Sequence, residues 1–219
     1  MKLYRQKSAE QGQTLVETMV AIFIMVMGIT AALGLAIYSF NATSLVNKQI
    51  VAMGLAREGI ESVKNMRDTN WLQSPQFDAG CNCYTDWQES YYNINTNGNG
   101  TYTLDFNPFA EPYWLLTPES KNFRLSYDST ASSGRFYFPS YSSLGGESGS
   151  DRYSDSDYYR RITLTEDADS PYNSTSPRLQ VTADVWWKDK KCPDATYYED
   201  SKPSCRVRLV TYLTNWKNY

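Results

Sequence analysis

Few residues in this chain are of a type, and in a place, to do chemistry. Glu17 is the sole charge between Gln13 and Phe40. A lone carboxylate in such an apolar run costs roughly 2.5–3.5 kcal/mol at mid-membrane on insertion scales, so it needs a partner. Four cysteines stand as Cys81 and Cys83, one residue apart, and Cys192 and Cys205, 13 positions apart. Asp151, Asp155 and Asp157 are close-set oxygen donors whose spacing invites comparison with a calcium loop. The EF-hand register of alternate oxygens, a central Gly and a terminal Glu is not met, so a solvated acidic loop is expected. Histidine is absent. That removes the usual general base and the commonest metal ligand, and with them every Ser-His or Cys-His nucleophile pair. The expectation is a protein that is not an enzyme, with no cofactor and no metal.

The elements that position these residues begin with a sharp asymmetry. Lys2, Arg5 and Lys7 against Glu10 make the first dozen residues basic, and from Thr18 to Val46 nothing is charged. About 20 apolar residues span a bilayer as a helix, and basic residues ahead of them place the N-terminus in the cytoplasm. The run exceeds the roughly 7–15 residues of a secretory signal core. A plain signal anchor fits its length and flanks but leaves Glu17 unexplained. Gly28, Ala32 and Ala36 recur at four-residue spacing, with Gly34 nearby; small residues let helices approach closely in lipid, and Gly weakens a helix by about 0.8–1.0 kcal/mol against Ala. Gly28 and Gly34 are accordingly candidate points of helix flexibility.

Past Phe40 the pattern turns amphipathic. Val46, Ile50, Met53, Ala56, Ile60, Val63 and Met66 fall at three- and four-residue intervals, one helical face, while Lys48, Arg57, Glu58, Glu61, Lys64 and Arg67 take the other. No Pro interrupts residues 13–74. One helix ending at Asp68-Thr69-Asn70 is predicted, its first half in lipid and its second half packing the apolar stripe on an outer domain.

That outer domain is polar and aromatic, with most of the 18 Tyr together with Trp, Ser, Asn, Asp and Gly. Such a composition suits short twisted strands joined by turns. Tyr91–Asn95 and Thr101–Phe106 flank Asn97-Gly98-Asn99-Gly100, a hairpin signal because Asn-Gly supplies the positive φ of tight turns. Further strands are expected at Phe123–Tyr127, Gly134–Phe138, Tyr158–Thr165, Arg178–Lys188 and Arg206–Thr214. Alternation of Leu179, Val181, Ala183, Val185 and Trp187 puts one side of its strand on a core. A net charge of −3 offers no basic face, so no nucleic-acid partner is predicted. Outside the cytoplasm, four cysteines favour disulfides over a metal site. Of the three connectivities they permit, Cys192–Cys205 with Cys81–Cys83 is preferred.

Gly12-Gln13-Thr14-Leu15-Val16-Glu17, after a short basic leader and before the apolar run, resembles the prepilin-peptidase site of type IV pilins and pseudopilins. The resemblance implies cleavage between Gly12 and Gln13 by a membrane aspartyl protease, and methylation of the new N-terminus at Gln13. It also implies that Glu17, five positions past the cut, is the assembly residue, meeting a neighbour's N-terminal amine. The family usually has Phe where this chain has Gln13. Gly54–Glu61 and Arg67–Trp71 resemble minor pilins of the PilV-like kind, and a C-terminal disulfide loop such as Cys192–Cys205 is common in pilins. Likeness is specific over residues 1–70, weaker at 158–216 and nearly absent between.

The fold implied is α+β. It comprises a leader (1–12), a long N-terminal helix (13–70, about 14–40 transmembrane) and an antiparallel β-sheet head (71–219) outside the cytoplasm. The function implied is a structural subunit, a minor pilin or pseudopilin of a type IV pilus or a type II secretion-like filament. Its partners are prepilin peptidase, other pilin subunits, the inner-membrane assembly platform and the membrane itself. It is a single-pass membrane protein before assembly and at the cell surface afterwards. The competing expectation is a membrane-anchored extracellular binding module or adhesin that never enters a filament, its sugar-binding surface built from aromatics such as Trp114 and Tyr141.

Overall fold

The computed structural model describes residues 15–73, 77–78, 83–84, 94, 99–106, 114–118, 123–128, 137–139, 153–167, 178–190, 192–193 and 202–214. Its contacts divide the chain into two units, residues 1–47 and residues 48–219. A single helix, α1, runs Leu15–Gln73 and belongs to both.

In the first unit, α1 is apolar on every side. Consecutive Ile22, Phe23, Ile24 and Met25 point in four directions around the axis, and all are exposed in the isolated chain. A helix apolar all round belongs in a membrane or a large core. By length and composition it is the one described helix able to cross a membrane. Its hydroxyls cost little there because they bond their own backbone. Thr18 donates to the Leu15 carbonyl at 2.8 Å, Thr30 to Val26 at 2.9 Å and Thr43 to Ser39 at 2.9 Å.

In the second unit, α1 buries one face. Ala52, Leu55, Ala56, Ile60, Val63 and Met66 form it, with Ser62 and Asn70 alongside. This corrects the expected stripe. Ala56, Ile60, Val63 and Met66 are inside, but Val46, Ile50 and Met53 are exposed. At 100° per residue, Ile50 sits nearly opposite the line through Ala52 and Gly59. Small residues decide the matter: Ala52, Ala56, Gly59 and Ser62 let the helix backbone lie close to the sheet, which bulky Ile50 does not. The helix also runs beyond its expected end to Gln73, with Trp71 on the buried face and Leu72 outward.

Among the described residues the sheet has seven antiparallel strands. They are β3 (Asn99–Phe106), β4 (Trp114–Pro118), β5 (Arg124–Asp128), β6 (Tyr137–Pro139), β7 (Tyr153–Asp167), β8 (Arg178–Trp187) and β9 (Arg206–Leu213). A separate two-stranded ribbon joins β1 (Phe77–Asp78) to β2 (Cys83–Tyr84). β7 is the organiser. One of its edges pairs with β8, from Tyr158↔Trp187 to Asp167↔Arg178, and β8 in turn pairs with β9. Its other edge is shared: β5 takes Tyr153 to Tyr159, and β3 takes Ile162 to Thr165. Arg160 and Arg161 stand at the changeover, where the Arg160 amide donates to the Phe123 carbonyl at 2.8 Å.

Alternation assigns the faces. Ile162 and Leu164 on β7 with Leu179, Val181, Ala183 and Val185 on β8 are buried on the helix side. A second, aromatic cluster uses the opposite parity, where Trp186 stacks on Tyr159 at 5.4 Å and meets Phe123 edge-on at 6.1 Å.

Two expectations differ from the structure. Asn99 and Gly100 are strand, not turn, and the described partners of β3 are β4 and β7 rather than a strand at 91–95. Ile94 is buried and non-strand, while its neighbours in that run lie outside the described residues. β7 begins at Tyr153, so Asp155 and Asp157 are strand residues rather than loop; Asp151 lies outside the described residues.

Candidate functional site

Two places hold the chemistry. The first is the start of α1, where Glu17 lies in the first turn. The partial positive charge of a helix N-terminus stabilises an acid there, a local reason for this position to tolerate one. Leu15, Val16, Met19 and Val20 surround it, all exposed. Gly12 and Gln13, the expected cleavage and methylation positions, lie outside the described residues. α1 is continuous through Gly28 and Gly34, and a Cβ at either would meet nothing within 4 Å.

The second place is where α1 lies on the sheet. Gly59 is the point of closest approach: a Cβ added there would come within 2.7 Å of Ile162 Cδ1 and 3.7 Å of Ala183 Cβ. Beside it Arg160 reaches up from β7, its side chain only 1% exposed. One guanidinium nitrogen donates to Glu58 Oε2 at 2.9 Å and to the Leu55 carbonyl at 3.3 Å, both on α1. The other donates to the Leu104 carbonyl of β3 at 3.2 Å. One side chain thus ties three elements. Burial pushes its pKa below the usual arginine value, while the Glu58 and Asp105 carboxylates pull it back up. Asp105, fully buried, accepts from Thr117 Oγ1 at 2.7 Å.

A charge ladder crosses three strands on the other face. Asp184 on β8, 1% exposed, accepts from Arg161 of β7 at 3.0 Å and from Arg208 of β9 at 2.6 and 3.1 Å. These three residues are direct cross-strand neighbours, the placement in which opposite charges reinforce a sheet.

Cys192 and Cys205 form a disulfide. The bridge closes the connection between β8 and β9, entered through a tight turn in which Asp189 and Cys192 exchange backbone hydrogen bonds. Asp189 also pairs with Lys48 of α1 at 3.3 Å, so the base of the disulfide loop is held to the helix. Cys81 and the side chain of Cys83 lie outside the described residues, and so does the bridge expected between them. Among the described residues no group of three or more metal-ligating side chains gathers.

Sequence reasoning singled out Glu17 and the cysteines and passed over Arg160, Gly59 and Asp184. The signal for Arg160 was available: it shares strand parity with Ile162 and Leu164, an inward register that an arginine takes only with partners.

Residues 7–33 match the family model of the prokaryotic N-terminal methylation motif, which spans Gly12, Gln13, Glu17 and Gly28. No curated protein and no solved structure matches the chain significantly. The head therefore stands on its own geometry.

Proposed function

Starting from a chain that carries the N-terminal methylation motif of the type IV pilin family, a prepilin-peptidase substrate with a structural role, we propose that it is a filament subunit. It is a minor pilin or pseudopilin of a type IV pilus or a type II secretion-like fibre. The leader 1–12 is removed, Gln13 is methylated, and α1 inserts with the head 71–219 outside the cytoplasm. The subunit then leaves the bilayer for a bundle of like helices at the cell surface.

One observation carries the proposal: Glu17 lies in the first turn of a helix whose apolar side chains are open on every side. Lipid and neighbouring helices cover such a surface about equally well, so the apolar residues do not choose between them. The carboxylate does choose. Cleavage frees an amine at Gln13, and its pairing with a neighbour's Glu17 replaces two poorly solvated charges by one ion pair. Gly28 and Gly34 give the same helix two places to yield when it is drawn from lipid.

Mass spectrometry of the native N-terminus tests this. A mature start at methylated Gln13 is expected, whereas an intact Met1 would reduce the protein to a membrane-anchored binding module. Glu17→Ala should insert and be cleaved normally, yet be depleted from sheared filaments.

A further inference from the structure

Among the described residues three strands of the sheet, β4, β6 and β9, have a partner on one side only, and they are not built alike. β4 is short and closes on Pro118, and β6 is shorter still and closes on Pro139. Brevity and proline guard an edge against pairing with another chain. β9 has neither guard. Its eight residues, Arg206–Leu213, match β8 one for one without a bulge, and none of them is Pro or Lys. Shelter also stops at this strand. Leu209 and Thr211 are only half-buried, although Ala183 and Val181 opposite them on β8 are wholly buried. On the other face the Arg208 side chain is 51% exposed, and Val210 and Tyr212 are 44% and 50% exposed.

We infer that β9 is a docking edge for an extended, acidic segment of a second protein, which joins the sheet as one more strand. Such a strand gains affinity from main-chain hydrogen bonds along the edge and specificity from the side chains it meets. Charge selects the occupant. The strand opens with Arg206 and Arg208 on one face and contains no acid. Opposite charges side by side reinforce a sheet, and like charges weaken it. One strand inward the sheet already applies this rule, since Asp184 lies opposite Arg208 and accepts from it at 2.6 Å. An acid in the added strand repeats that pairing on the outer side. The β9 of a second copy brings two arginines and no acid, so charge disfavours it. Beyond the arginines, Val210 and Tyr212 suit β-branched or aromatic neighbours, and Arg178 braces the Tyr212 ring at 4.4 Å. The occupant is thus a strand with acids at alternate positions at one end and apolar residues at the other. This inference stands whether or not the chain enters a filament.

The probe is a synthetic octapeptide alternating Glu with Val in one half and Ile with Val in the other. It is added to the full-length chain in detergent, and amide hydrogen exchange is followed. With peptide about ten times above its Kd, the β9 amides facing away from β8 should exchange about tenfold more slowly, with β8 amides unchanged. The same peptide carrying Lys for Glu, or N-methylated at alternate residues, should give no protection. Arg206→Glu should reverse the preference between the Glu and Lys peptides. In native cells a photoreactive side chain at Tyr212 should mark an acidic segment of another protein. The docking edge is overturned if the Glu peptide gives no protection, or if the Lys or N-methylated peptide protects equally. An unchanged preference in Arg206→Glu, or adducts confined to copies of this chain, overturns it as well.

Discussion

Replacing Arg160 by methionine isolates the tie between helix and sheet. Methionine keeps much of the stem volume and removes the charge, so packing is nearly preserved. The guanidinium is almost wholly buried, and three described contacts vanish with it. The one to Glu58 counts least, because that side chain is 39% exposed and water screens the pair. Leu55 O keeps its place in the helix ladder, whereas Leu104 O, past the end of the β3–β7 register at Tyr102↔Ile162, loses its described donor. The dominant cost falls on Asp105, left fully buried without the attraction of the Arg160 charge. Removing one partner of a buried charge cluster costs about 3–5 kcal/mol, and that range is expected for Arg160→Met. Urea unfolding of the detergent-solubilised chain, followed by tryptophan fluorescence, measures it directly. Trp71, Trp186 and Trp187 are all buried and report on the head. Adding Asp105→Asn should return at least about 1 kcal/mol of coupling between the two sites. A loss below about 1 kcal/mol for Arg160→Met, or strict additivity in the double variant, would refute the assignment of Arg160 as the tie.

Gly59→Val should destabilise the head by about 1–3 kcal/mol, since its branches meet Ile162 and Ala183 in a packed core; the same unfolding curve reads it. Asp184→Ala leaves Arg161 and Arg208 facing each other across a vacated position. It should cost about 2–3 kcal/mol, less if half-exposed Arg208 swings into water, and Asp184→Asn should cost less. Opening the Cys192–Cys205 bridge by paired serine substitution should lower stability by about 3 kcal/mol, visible as a reduced urea midpoint with a slope at least as steep, because the unfolded chain is less constrained.

Much of the architecture was legible because period and composition agree. The apolar run, the helical pattern after it and six of the seven described sheet strands follow from local sequence pattern. β4 escaped because Trp114–Pro118 is brief and ends in proline, with no alternation to mark it. Helix facing was half legible. Val46, Ile50 and Met53 satisfy the same spacing as Ile60 and Val63, and periodicity ranks them by hydrophobicity. The sheet instead selected Ala52, Ala56 and Gly59 for their smallness, which a hydrophobic count undervalues. Asn99 and Gly100 show another limit of local signals: turn chemistry was present, but β7 supplied a pairing partner more than sixty residues away in sequence. Arg160 was overlooked for the same reason, because its partners Glu58 and Asp105 lie far off along the chain. Glu17 was legible since a charge inside an apolar run needs no tertiary context to stand out.

The long central strand also dictates a timetable. The helix emerges first from the ribosome, yet the side chains that shelter Ala52 through Met66 come from residues 153–213, among the last to be made. β7, β8 and β9 are successive neighbours and can zip together quickly once all three are made, since short-range pairing is kinetically cheap. Until then the second half of the helix waits with its inner flank bare. A chain cut short before β9 would carry its whole helix and still be unable to close its head.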